Sequence, residues 1–273
     1  MKPVAVATVR EMDFEDPTLD LPRILCLHGG GTNSTIFRLQ CRVLSHMLKS
    51  TFRLVYAQAP YPSRAGPDVL SVYKDYGPFR AWLRWDARDA EVDAKSAAAE
   101  IRKSLTDAMS DDDSLGATGE WVGLLGFSQG AKIAASLMFS QQILSDSLDY
   151  NAPVWPNFRF AVLMAGRGPL VWLLPELPMP IGMVDAAHLS TSPVERYPEN
   201  AENILRLPTI HVHGLQDPNI ALHRELLDSY CDYRSTRLIE WDGNHRLPIK
   251  TKDVSRVVDQ IMSVAKQTGV VSF

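Results

Sequence analysis

Trp121-Val122-Gly123-Leu124-Leu125-Gly126-Phe127-Ser128-Gln129-Gly130, followed by Ala131-Lys132-Ile133-Ala134-Ala135-Ser136-Leu137-Met138, is the stretch on which the fold turns. An apolar run that is short and continuous, then a glycine-flanked serine, then a longer apolar-periodic run reads as buried strand, sharp turn and helix. A turn that tight strains the backbone of its corner residue and leaves no room for side chains two positions to either side. Glycine stands at both places, Gly126 and Gly130. The corner hydroxyl of Ser128 is thereby exposed at a strand end, beside a helix N-terminus whose free N–H groups favour developing negative charge. Taken alone, G-x-S-x-G also describes a serine in an ordinary turn; the strand before it and the helix after it make it a candidate nucleophile elbow.

Outward from the elbow, apolar strand patterns alternate with amphipathic helical ones. On the N-terminal side, Arg23-Ile24-Leu25-Cys26-Leu27 runs abruptly into His28-Gly29-Gly30-Gly31, after which Asn33 or Ser34 can cap a helix with Ile36, Phe37, Val43, Leu44, Met47 and Leu48 on one face. Residues 3–9 alternate weakly and suggest an edge strand. Phe52 to Ala57 is the next strand. Residues 60–88 hold prolines, glycines and six aromatic side chains, Tyr61, Tyr73, Tyr76, Phe79, Trp82 and Trp85, which suggests a functional loop over a site. Asp89 to Met109 reads as a helix, and Asp111-Asp112-Asp113 as its solvated exit turn.

On the C-terminal side, strands are expected at 158–164, 207–213 and 236–241, with helices near 220–231 and over the stripe Val254, Val257, Val258, Ile261, Val264 and Ala265. Between 167 and 206 lies a proline-rich apolar segment, including Trp172 and Leu173, which the prolines prevent from forming a regular helix. It is expected to cap the site. The alternation predicts an α/β chain with a doubly wound, mainly parallel sheet, whose ligands bind at the carboxyl ends of the strands.

Composition sets the bounds. The 273 residues suit one large domain, 1–273, with cap or lid segments at about 60–88 and 167–206, and 45% hydrophobic content is ample for its core. A net charge of −4 gives no footprint for nucleic acid or an anionic membrane. Three widely spaced cysteines read as reduced thiols. No run approaches a membrane span, and the N-terminal apolar stretch is too short for a signal peptide, so the cytoplasm is the expected compartment.

A serine nucleophile needs a base, an orienting acid and an oxyanion hole. Asp217 follows the strand ending at His213, and His245 follows the last strand, which places both at the same sheet edge as Ser128 and in the order Ser, acid, His. Asp217 also fits an ordinary Asp-Pro turn, and a histidine after a strand is commonly a structural hydrogen-bonder. Among the alternatives, His28 precedes the serine, His211 and His213 sit inside a strand, His223 lies on a helix, and Asp242 shares a loop with His245. The backbone N–H groups of Gln129 and Gly30 are the expected oxyanion donors, with Gly31 as the neighbouring alternative; the glycines also fit a simple tight turn. Tyr76, Phe79, Trp82, Trp172 and Leu173 are candidates for an apolar acyl pocket.

Four motifs in register, Leu27-His28-Gly29-Gly30-Gly31-Thr32-Asn33, Gly126 to Gly130, Gly214-Leu215-Gln216-Asp217 and Gly243-Asn244-His245, resemble the fungal serine hydrolases of the FSH type, from about Arg23 to Ala265. The resemblance implies an α/β-hydrolase fold with no metal and no organic cofactor. It further implies a thioesterase or esterase of secondary metabolism, acting on a hydrophobic, polyketide-like acyl substrate delivered by an acyl carrier domain of a polyketide synthase. A general short-chain carboxylesterase is the alternative enzyme, and a ligand-binding protein without catalysis the alternative class.

Overall fold

A computed structural model describes residues 16–67, 69–146, 156–189 and 203–272. The chain opens with strand β1 (Arg23–Leu27), helices α1 (Ser34–Gln40) and α2 (Arg42–Leu48), and strand β2 (Arg53–Ala57). Asn33 caps α1 by accepting the Ile36 N–H at 2.8 Å. The helical stripe expected over 34–48 is therefore present, broken at Cys41 into two short helices.

Residues 60–88 are more regular than a loop. They form the antiparallel pair β3 (Tyr61–Ser63) and β4 (Phe79–Ala81), with a single turn of helix, α3 (Leu70–Tyr73), between them. Helix α4 (Ala94–Ser114) follows, capped by Asp93. It contains Asp111 to Asp113, so the solvated turn expected there is corrected. Asp112 is buried because two guanidinium groups face it: Arg23 at 3.3 Å and Arg53 at 2.8 Å.

Strand β5 (Trp121–Phe127), helix α5 (Gln129–Asp146) and strand β6 (Phe160–Met164) come next, then the two-residue strands β7 (Val171–Trp172) and β8 (Val184–Asp185). The chain closes with β9 (Thr209–Gly214), α6 (Ile220–Tyr230), β10 (Thr236–Trp241) and α7 (Thr251–Gln267). Residues 3–9 and part of the cap segment, 190–202, lie outside the described residues. Among those described, no helix is long and apolar enough to cross a membrane.

Six strands form one parallel sheet in the order β10-β9-β6-β5-β1-β2. Period-2 alternation sends successive side chains of β1 to opposite layers. Ile24 and Cys26 join α1, α2 and α7 in one buried layer; Leu25 and Leu27 join α4, α5, α6 and the cap segment in the other. Because both faces are covered, the central strands β1, β5 and β6 are buried along their whole length and almost entirely apolar, as the sequence indicated. The chain leaves β1 for β2 on one side and returns to β5 on the other. That makes the carboxyl edge between β1 and β5 the topological switch point where such sheets bind ligands. The glycine loop after β1 and the elbow after β5 meet there.

Candidate active site

Ser128 is a non-glycine residue at φ 53°, the strained corner that the elbow requires. The flanking glycines are sterically necessary: a Cβ at Gly126 would collide with Gly130 O and Ala131 N, and one at Gly130 with Leu27 O. The Ser128 N–H donates to Met164 O at 2.8 Å, tying the corner to the end of β6. Ser128 Oγ then lies 3.0 Å from His245 Nε2, and His245 Nδ1 lies 2.6 Å from Asp217 Oδ2. The three residues expected from sequence are thus brought into one hydrogen-bonded relay, from the turns after β5, β9 and β10.

Asp217 is buried. Burial pushes its carboxyl up, but that is outweighed by hydrogen bonds from Asn219 N, His223 and His245, which hold it below the usual carboxylate range. Such a carboxylate stays ionised and fixes the imidazole with a hydrogen on Nδ1, leaving Nε2 to accept from the serine.

His223 is the residue that the sequence did not single out. It is buried in the first turn of α6, with Nε2 2.9 Å from the same Asp217 Oδ2 and Nδ1 2.8 Å from Gly166 O. Both contacts are acceptors, so both are satisfied by a ring carrying a hydrogen on each nitrogen. The six-residue spacing from Asp217 across the helix start was the available signal. His211, His213, His223 and His245 form a chain of ring contacts at 5.7 to 5.9 Å. Asp217, His223 and His245 also present ligand-type atoms within 4.8 Å of one another, a closeness these hydrogen bonds account for.

His28 is placed structurally. Its Nδ1 faces Gly29 O at 2.8 Å, its Nε2 accepts the Ala59 N–H at 3.1 Å, and burial pushes it down to about 4. The Gly29 to Gly31 run does more than make a turn. Gly31 N–H donates to Arg80 O at 2.8 Å, which removes it as an oxyanion donor, and its φ of 73° with Gly66 packed against it explains the glycine. The N–H groups of Gly30 and Gln129 have no acceptor among the described residues. The Gln129 side chain accepts from Trp82 N (2.8 Å) and Leu83 N (3.2 Å) and donates to Leu83 O (2.8 Å), which locks the end of the β3–β4 hairpin onto the elbow.

Of the pocket candidates, Tyr76 is exposed and Phe79 partly buried in β4. Trp82 is fully buried and donates Nε1–H to His28 O at 2.8 Å. Trp172 and Leu173 are buried in the core layer over α5, with Trp172 Nε1 donating to Leu177 O at 3.1 Å. Those three are structural members of the core here.

A parallel sheet with helices on both faces and a serine at a strand-to-helix elbow defines an α/β-hydrolase. The family model "Serine hydrolase (FSH1)" matches residues 19–257, and the chain belongs to that serine hydrolase family. Relatives include esterase dbaE of Emericella nidulans, 58% identical over 93% of this chain and 94% of its own length. Esterase pigG of Monascus ruber is 54% identical (94% and 96% covered), and a probable esterase, tazC, of Aspergillus terreus is 51% identical (94% and 97% covered). Among solved structures, a carboxylesterase from Mesorhizobium loti is similar at 16% identity and a TM-score of 0.49, with 88% of each chain covered.

Proposed function

We propose that the chain hydrolyses ester or thioester bonds of a hydrophobic acyl chain through an acyl-enzyme on Ser128. His245 acts as the base and Asp217 as its orienting acid. The observation behind this is the unbroken relay from Asp217 Oδ2 through His245 to Ser128 Oγ, 2.6 Å and 3.0 Å long. As Oγ attacks the carbonyl carbon, His245 Nε2 takes its proton, and the imidazolium is stabilised by the ionised Asp217. The carbonyl oxygen becomes an oxyanion and accepts hydrogen bonds from the unengaged N–H groups of Gln129 and Gly30. Collapse expels the alcohol or thiol with the proton from His245. Water then repeats the sequence on the acyl-enzyme, releasing the acid and restoring Ser128.

The esterase names of the relatives support the ester class. The preference for a polyketide thioester rests on family resemblance. Labelling with a fluorophosphonate probe is the first test: the wild type is expected to label and Ser128→Ala not to. A folded wild type that fails to label, or an alanine variant that labels equally, would sink the reading and favour a ligand-binding protein. Comparing N-acetylcysteamine thioesters with p-nitrophenyl esters of the same acid then separates thioesterase from carboxylesterase.

A further inference from the structure

Helix α5 carries a second polar group that the reaction above does not use. Lys132 follows Ser128 by one helical turn, its N–H donating to Ser128 O at 3.1 Å, and it is only 1% exposed. Among the described residues no carboxylate acts on its ammonium. Burial, with the charge of Arg167 added, pushes this lysine down to about 7. Burying an ammonium without a partner is costly, and a bound anion would offset that cost.

The surroundings give it a direction. Side chains on a helix lean toward its N-terminus, so Lys132 reaches back over the elbow turn. Arg167 leaves the end of β6 three residues after Met164, whose carbonyl holds the Ser128 N–H. The cap segment roofs this side of α5: Val171 N donates to Ser136 Oγ, one turn beyond Lys132, at 2.8 Å, and Val184 N donates to Leu170 O at 3.0 Å. That roof carries His188, whose Nε2 is buried without a partner among the described residues, and whose ring is pushed down by burial and by the charge of Lys132. Asp185, whose charge acts on His188 in the opposite direction, is exposed and caps Ala187 N at 2.8 Å.

We propose that Lys132, Arg167 and His188 form an anion subsite on the β6 side of Ser128, which binds a carboxylate carried by the acyl chain away from its scissile carbonyl. The inference rests on Ser128 being the acyl-accepting nucleophile. An incoming carboxylate supplies a counter-charge to Lys132 and keeps it protonated. The orphaned imidazole nitrogen gains a hydrogen-bond partner at the same time. The substrate class becomes an acidic acyl chain, with the carboxylate setting how deep the chain enters.

The test compares kcat/KM for p-nitrophenyl esters of simple acids with the mono-p-nitrophenyl esters of glutaric through suberic acids, corrected for spontaneous hydrolysis. The wild type is expected to prefer the carboxylated ester at least tenfold over its uncharged partner at one chain length. Lys132→Met is expected to lower that ratio at least tenfold, and Lys132→Arg to retain part of it. A wild-type ratio at or below one at every length would overturn the subsite, as would an unmoved ratio in a folded Lys132→Met. The wild-type series decides even where a variant does not fold. Failure to turn over either series would instead remove the hydrolase reading on which the subsite stands.

Discussion

His223 shows how a single residue changes the chemistry available at the relay. Asp217 Oδ2 receives hydrogen bonds from both His245 and His223, so its charge is divided between two imidazoles. The His223 ring also stacks on that of His245 at 5.8 Å, so it holds the carboxylate and the imidazole of the relay together. His213, packed on His223 in turn, is pushed down to about 4, chiefly by burial. His223→Phe keeps a ring in place and removes the hydrogen bond to Asp217. We expect it to lower kcat by about tenfold with KM little changed, because the carboxylate is held less firmly. An unchanged kcat in the folded variant would reduce His223 to packing. By contrast, His245→Ala is expected to lower kcat by about 10⁴-fold or more at every pH, because the relay works as a unit. Retention of near-normal rates by that variant would place the base elsewhere.

At the scale of elements, what the sequence revealed and what it hid follow from the kind of signal each carries. The elbow, β1 and the turns carrying Asp217 and His245 were legible because each couples an apolar run to glycines whose backbone role is forced. The hairpin of β3 and β4 was not, because its strands are three residues long and hold Pro62 and Pro78 near the pairing. Trp82 and Trp172 looked like pocket walls, since an aromatic residue in an irregular segment gives no hint of which way it faces. Tertiary packing decided it, through Gln129 gripping the hairpin and Ser136 gripping β7. Asp112 was misread for a related reason: a run of three acids looks solvated until Arg23 and Arg53, about 90 and 60 residues away, are brought against it. This pair of contacts joins α4 to the N-terminal ends of β1 and β2, opposite the elbow. Asp112→Ala leaves two partly buried guanidinium groups short of a partner, and is expected to cost about 3 kcal/mol, read as a lowered Tm by calorimetry. A loss below about 1 kcal/mol would show that Asp113 and Asp16 take over its role.

Across the whole molecule, the buried histidines make stability depend on pH in a direction that can be worked out. His28, His211 and His213 are held down to about 4, 3 and 4, in each case chiefly by burial. In the unfolded chain they titrate near the ordinary value of about 6.5. Between that value and about 4, the unfolded state therefore binds protons that the native state refuses. Stability is fully present above about pH 6.5, and falls as the pH drops through that window, by up to about 1.4 kcal/mol per unit for each group. Three groups acting together remove about 6 kcal/mol at pH 5, comparable with the whole stability of many domains. Asp217, held low by its hydrogen bonds, pulls in the same direction at still lower pH. Lys132 does so at higher pH, since its depressed value makes stability rise from about 7 toward the ordinary lysine range. The Tm is therefore expected to fall steadily from pH 7 to pH 5, well before the carboxylates titrate. His211 lies farthest from Ser128 along the chain of rings, and His211→Gln should flatten that slope by about one third, because one of the three refused protons is gone. A Tm that stays level across this interval in the wild type would mean that the rings are protonated in the folded protein.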